Sequence, residues 1–247
     1  MKTNYLSRAI NPIINVNHRD MSHAEYVSSI SIDCIIFGFD EGELKVLLIK
    51  RAKEPSKGGW ALPGGFVGQE EDLDVAAKVI LEELTGLKKI YMEQLHTFGD
   101  VNRYPLRRVI SIAYSSLIKI GDYELRAADN AQEAVWHPVS KVPELVFDHG
   151  QMLKMALETL QTKVQYHPIG FELLPKKFTL TQLQTLYETV LETTLDKRNF
   201  RKKILSMDLL IALDEFQRGA PNRAARLFKF DTQKYKELKS KGFMFEL

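Results

Sequence analysis

Residues 64–87 read GGFVGQEEDLDVAAKVILEELTGL, and the fold turns on how this stretch is parsed. With the preceding residues it forms "WALPGGFV", a short strand broken by Pro63, Gly64 and Gly65, followed by a helix from Asp72 to Leu84. Upstream, "SISIDCIIFGF" sets Ile30, Ile32, Cys34 and Ile36 on one side, the period-2 pattern of a strand. "DEG" reads as a turn, and "ELKVLLIKRA" repeats the alternation with Leu44, Val46 and Leu48, a hairpin signal. Downstream, "KIYMEQLHTF", "RRVISIAYSSLI" and "EAVWHPV" are strand-like, and "DHGQMLKMALETLQ" carries Met152, Met155, Ala156 and Leu160 at helical spacing. Strands flanked by helices in this order predict an α/β (α+β) sandwich over residues 28–164. A polar, aperiodic arm, residues 1–27, precedes it, and a connector, 165–177, leads to a last unit, 178–247.

The bulk composition narrows the function classes. The 247 residues are 45% hydrophobic and 27% charged, enough apolar material for a core. No apolar run approaches the roughly 20 residues of a membrane span, and the N-terminus lacks the pattern of a secretory signal. Cys34 is the single cysteine and lies in an apolar run, which predicts a buried, inert thiol in a reducing cytoplasm. The net charge of +2 hides an asymmetry: residues 171–247 hold 15 Lys and Arg against 10 Asp and Glu, and the remainder 19 against 22. A basic C-terminal third fits a unit that meets a polyanion, or an ordinary solvated surface.

The pattern within that third favours the polyanion. "FTLTQLQTLYETVL" places Leu180, Leu183, Leu186, Tyr187 and Val190 on one helical stripe, and Thr179 with Gln182, or Thr181 with Gln184, satisfies the capping-box pattern. Asp196 is a good N-cap for a second helix, "KRNFRKKILSM", which turns Phe200, Ile204 and Met207 inward. Its other face carries Arg198, Arg201 and Lys202, with Lys197 at its start and Asn199 to one side. "LLIALDEF" and "ARLFKF" then read as two strands joined by "QRGAPNRA", a basic hairpin offering Arg218, Asn222, Arg223 and Arg226. Two helices with a tight connection and a basic hairpin predict a winged helix-turn-helix on double-stranded DNA. The competing reading makes these charges the solvated face of an accessory domain or a dimer interface.

The stretch at 64–87 resembles the Nudix box, in which a Gly, a Glu, an Arg-Glu pair and a Glu-Glu pair precede a final Gly at fixed spacing. With Gly86 as the final glycine, Gly65 and Glu71 match, the Arg-Glu pair falls on Val79-Ile80, and the Glu-Glu pair on Glu83-Leu84. In that family the helix glutamates hold Mg²⁺ against a diphosphate. Positions 80, 83 and 84 share one helical face, and here the face reads Ile, Glu, Leu. Magnesium wants near-octahedral oxygen coordination, so Glu83 alone is a weak anchor, and Glu82 points about 100° away around the helix. Sliding the register to let Lys78 replace the arginine leaves Val79 where a ligand belongs. The resemblance therefore implies a Nudix-like α/β/α domain with no catalytic residues, and a metal cofactor only if hydrolysis survives by another ligand set, such as Glu71 or Glu93. A pocket without chemistry would draw on Gly64, Gly65, Phe66 and Glu83, with Arg51 and Arg107 for phosphate or sugar hydroxyls.

From Ile30 onward the chain resembles the Nudix-related transcriptional regulators, most closely at "LPGGFV", "FDH" (147–149), "GFELLPKKFTLTQLQTLYE" and "DKRNFRKK". The resemblance looks nearer to the sugar-responsive, arabinose-type repressors than to the ADP-ribose sensors. It implies a homodimeric, cytoplasmic repressor whose Nudix-like domain senses a sugar or an ADP-ribose-like metabolite. The alternative is a hydrolase of a nucleoside diphosphate derivative such as ADP-ribose.

Overall fold

The computed structural model describes residues 29–40, 42–127, 131–217 and 224–247. The first unit is built on a seven-stranded sheet. Its path runs β3 (Trp60–Ala61), β2 (Glu43–Arg51), β1 (Ile30–Asp40), β6 (Ile110–Lys119), β5 (Glu93–Phe98), while β4 (Gly64–Phe66) pairs with β1 and β7 (Ala131–Pro138) with β2. β1 and β2 form the expected hairpin, Phe37 opposite Val46 and Asp40 opposite Glu43. β1 and β6 are parallel, from Ile30 opposite Ile110 to Phe39 opposite Lys119. The expected break falls at Leu62–Pro63, between β3 and β4, while Gly64 and Gly65, also expected within the break, belong to β4 opposite Asp33 and Ile32. Pro63 has no N–H to give a ladder, yet its carbonyl accepts from Cys34 N at 2.7 Å, which carries pairing across the break.

β1 is buried on both faces, so its two alternating sets enter two cores. Ile32, Cys34 and Ile36 pack with Ala76, Ala77, Ile80, Leu81 and Leu84 of α1 (Leu73–Thr85). Burial drives the Cys34 thiol pKa up, as expected of an inert cysteine. α1 starts at the N-cap Asp72 and stops at Gly86, whose φ of 75° closes the end with an N–H to Glu82 O at 2.8 Å. That left-handed step suits glycine and explains why "TGL" ends the helix.

Ile35, Phe37 and Phe39 point the other way, into a core shared with α2 (His149–Tyr166) through Met152, Leu153, Ala156, Leu160 and Val164. The same core continues without a break into the C-terminal unit. Phe171, Leu173 and Leu174, around a 3-10 turn at Ile169–Leu173, carry it to Phe178 and to Leu183, Leu186, Tyr187 and Val190 of α3 (Leu180–Leu191). The segment expected as a connector is thus packed apolar structure. α3 is followed by α4 (Lys197–Ser206) and a three-stranded sheet ordered β8 (Phe178–Thr179), β10 (Arg226–Phe230), β9 (Leu210–Phe216). A last helix, α5 (Thr232–Ser240), packs Tyr235 and Leu238 on this core. The two units touch elsewhere too: Thr189 Oγ1 of α3 donates to Gly42 O at the β1–β2 turn, at 2.9 Å. No described helix is long and apolar enough to cross a membrane.

Candidate functional site

The box helix is built around apolar contacts where a metal site would need oxygen. Ile80 is 8% exposed and Leu84 6%, both facing the sheet. A Cβ added at Gly65 would lie 3.3 Å from Ile80 Cγ1, so the glycine lets β4 rest directly on that isoleucine. Glu83 is exposed at the solvent side, and no described contact joins it to the other candidate residues. The alternative ligands are committed elsewhere. Glu71 accepts Gly68 N at 2.8 Å, and Glu93 is bound to Lys163, whose hydrogen bond holds its carboxyl below the ordinary range. Among the described residues no group of three or more His, Cys, Asp or Glu is placed to hold a metal. This donor set does not fit magnesium.

Beside β4 the structure gathers a different set. Arg107 lies over the Phe66 ring at 4.4 Å, Phe66 meets Tyr104 edge-on at 6.0 Å, Tyr104 meets Phe147 at 5.2 Å, and Arg51 covers Phe147 at 5.1 Å. Arg51 is steadied by its Nε, which donates to Pro55 O at 2.9 Å. Three aromatic rings between two guanidinium groups offer flat faces for a base and cations for phosphate oxygens. Phe66 is 45% exposed, and Tyr104 and Phe147 are half-buried. The sequence reading named Arg51, Gly64, Gly65, Phe66 and Arg107, and the fold brings these together. Glu83 does not join them. No spacing in the sequence marks Tyr104 or Phe147 as site residues: Tyr104 lies in a polar loop, and Phe147 carries no signal beyond its place in "FDH".

Beneath the row lies a buried ionic network. Arg103 donates from Nε to Asp148 Oδ2 at 2.9 Å and from Nη2 to Asp148 Oδ1 at 2.8 Å, and its Nη2 also reaches Asp33 Oδ2 at 3.4 Å. Ser111 Oγ donates to Asp33 Oδ2 at 2.5 Å. His149 Nδ1 accepts Leu62 N at 3.0 Å, and its Nε2 lies 3.5 Å from Asp33 Oδ1. Burial lowers the His149 pKa, against the pull of Asp33 and Asp148, so the ring is neutral with its proton on Nε2. Gly64 packs on this network so closely that a Cβ there would collide with Asp33 Oδ1.

The second candidate site is α4 and the hairpin. The capping box forms at Thr179 and Gln182, while Gln184 instead donates to Glu188 Oε1 and Leu195 O, both at 2.9 Å, bracing the turn between the helices. Asp196 caps α4 by accepting Asn199 N at 2.8 Å. Phe200 and Ile204 are buried, and Lys197, Arg198, Asn199 and Lys202 are exposed, as the periodicity predicts. Arg201 is half-buried on the flank, with Nη2 donating to Thr181 Oγ1 at 3.2 Å, because it sits next to Phe200 and is drawn against α3. Arg226 donates to Leu213 O at 2.7 Å and Asp214 Oδ1 at 2.8 Å, and so ties the two hairpin strands together. Arg218, Asn222 and Arg223 lie outside the described residues.

Comparison with known proteins supplies the ancestry. A model of the NUDIX domain matches residues 28–156, and one of the NrtR DNA-binding winged helix domain matches 170–230. The chain is 33% identical over 210 residues, 83% of each protein, to an "ADPR responsive transcriptional repressor NtrR" of Acinetobacter baylyi. Shewanella oneidensis NrtR, solved with a 27mer DNA, is similar at a TM-score of 0.65 and 29% identity, covering 81% of this chain and 93% of that one. The NUDIX domain of the same protein, solved with ADP ribose, gives a TM-score of 0.52 at 30% identity over 58% of this chain and 94% of its own. These relatives do not support a nearer resemblance to the sugar-responsive, arabinose-type repressors. The chain belongs to the NUDIX family, among its members that carry an NrtR-type winged helix behind the Nudix domain.

Proposed function

We propose that this chain is a DNA-binding transcriptional repressor whose Nudix domain binds an ADP-ribose-like ligand without hydrolysing it. The observation that carries the reading is α4: its apolar side is locked into the core, and its outer side presents Arg198, Asn199 and Lys202, none of which forms a salt bridge among the described residues. Arg and Asn on such a face suit bidentate contacts to guanine and adenine edges, and Lys suits phosphate. In a homodimer, two copies of α4 would read a near-palindromic operator with half-site spacing set by their separation.

The sensor half of the reading is supported by the aromatic row. A purine can lie on Phe66, Tyr104 or Phe147, and the diphosphate can meet Arg51 and Arg107. The Ile80 and Leu84 side chains, buried where carboxylates would hold magnesium, leave the ligand intact. That suits a sensor, which gains nothing by destroying its effector.

Titration calorimetry with ADP-ribose and Mg²⁺, followed by chromatography of the same sample, tests the sensor half: binding, and binding without hydrolysis. Binding with unaltered ADP-ribose supports the sensor. Release of AMP and ribose phosphate on the timescale of the titration would make the protein a hydrolase.

A further inference from the structure

The segment Phe147–Asp148–His149 combines three features that ordinary packing does not require. Phe147 has a φ of 56°, a left-handed conformation that is a true outlier for a bulky side chain. Asp148 is the N-cap of α2, yet its side chain makes no capping bond, and both its oxygens go to Arg103. His149, the first residue of α2, receives the N–H of Leu62, two residues before the Gly64-Gly65 pair. A strained residue, a diverted cap and a buried bond to the glycine strand thus meet at one helix end. Strain of this kind persists only where the surroundings over-determine it, and it gathers at ligand clamps and switches.

The segment also has an address at each end. Phe147 lies between Arg51 and Tyr104 in the proposed effector row. Arg103, which grips Asp148, is adjacent to Tyr104 in the loop between β5 and β6 that also supplies Arg107. From His149, α2 runs 18 residues, about 27 Å at 1.5 Å per residue, with Met152, Ala156, Leu160 and Val164 in the core that holds Leu183, Leu186 and Tyr187 of α3. Near its far end, Gln165 O accepts Leu247 N at 3.0 Å, so the helix also touches the end of the winged-helix unit.

We propose that Phe147–His149, anchored by Arg103, is the relay that converts occupancy of the aromatic row into a shift of α2 and hence of the DNA-binding helices. Arg103 and Asp148 act as positioning residues, since neither belongs to the row itself. A ligand that stacks on Phe147 or Tyr104 favours one placement of the ring, and the Arg103–Asp148 fork passes that preference to the helix end. A ligand moves such an equilibrium only by its difference in affinity for the two arrangements, so loosening the fork lowers the coupling. The inference rests on the reading of the row as the effector site.

The test uses the full chain and two variants. Asp148→Asn keeps a residue suited to the N-cap but removes the negative charge that faces Arg103, and Arg103→Lys keeps the positive charge but cannot span both oxygens. For each protein, operator Kd is measured by anisotropy with and without saturating ADP-ribose, ADP-ribose Kd by calorimetry, and Tm by circular dichroism. The ratio of the two operator Kd values should fall roughly fivefold or more toward 1 in both variants, with ADP-ribose Kd changed by less than about threefold. A merely structural role would lower Tm and leave the ratio at its wild-type value, and that result overturns the proposal. If the wild type itself shows a ratio of 1, the ADP-ribose reading falls first, and the wild-type arm alone reveals it.

Discussion

The substitution Ile80→Glu restores one of the carboxylates the box helix lacks, and the surroundings of that side chain set the outcome. Ile80 is 8% exposed and packs on Gly65 within the α1 core. Removing it forfeits about 1.5–3 kcal/mol of burial. The new carboxylate has no cation in the described surroundings, so it either stays charged at a further cost of a few kcal/mol or takes up a proton. A total of about 4 kcal/mol corresponds to a fall in Tm of roughly 8–16 °C for a chain of this size. The sign with pH follows. The folded-state pKa of the introduced carboxyl is raised above its unfolded value, so the gap to wild type is largest at neutral pH and narrows as pH falls toward the ordinary carboxyl range. Paired thermal melts at pH 7 and pH 5, with and without Mg²⁺, read this directly. A variant as stable as wild type, or one stabilised by Mg²⁺ and hydrolysing ADP-ribose, would refute the claim that this face is apolar scaffold.

Other outcomes follow from single contacts. Arg198→Ala should lose about 1–3 kcal/mol of preference for operator over scrambled duplex, whereas Lys202→Ala should weaken both alike and reduce the salt slope by about 1; an unaltered preference in Arg198→Ala removes it from the base-reading set. Asp196→Ala should cost about 1 kcal/mol of stability by removing the cap on Asn199 N, seen as a Tm lower by roughly 2–4 °C. Because the folded His149 pKa lies below its unfolded value near 6.5, the stability it contributes is complete above that pH and is lost as pH falls through the folded pKa, with a slope of up to about 1.4 kcal/mol per pH unit. Urea midpoints that rise between pH 7 and pH 5.5 would contradict this placement of the imidazole.

Where periodicity carries the information, the sequence was readable. The β1–β2 hairpin, α1, and the α3–α4 pair with caps at Thr179 and Asp196 all stand where alternation, helical spacing and capping residues put them. Elements whose reason lies in tertiary contact were harder. β4 is a strand because Gly64 and Gly65 can lie against Asp33 and Ile80, and glycines seen alone signal a break. α5 has little signature in sequence, because "TQKYKELKS" shows only Tyr235 and Leu238 as apolar anchors among charges. The candidate effector row divides the same way. Arg51, Phe66 and Arg107 were reachable from the glycine motif and from chemistry, but the network of Asp33, Arg103, Ser111, Asp148 and His149 draws on distant segments with no spacing rule. Arg201 and Arg226 carry the expected charge, yet the fold turns part of each inward, to Thr181 and to the hairpin itself.

The most direct test of the account is fluorescence anisotropy of the full chain on duplex tiles from the region upstream of its own gene, at low and at raised salt, with ADP-ribose, arabinose, xylose or no ligand. The account predicts tight binding to particular tiles, weakening steeply with added salt, and altered by ADP-ribose but not by arabinose or xylose. Equal, weak binding to every tile, untouched by ADP-ribose, would contradict it.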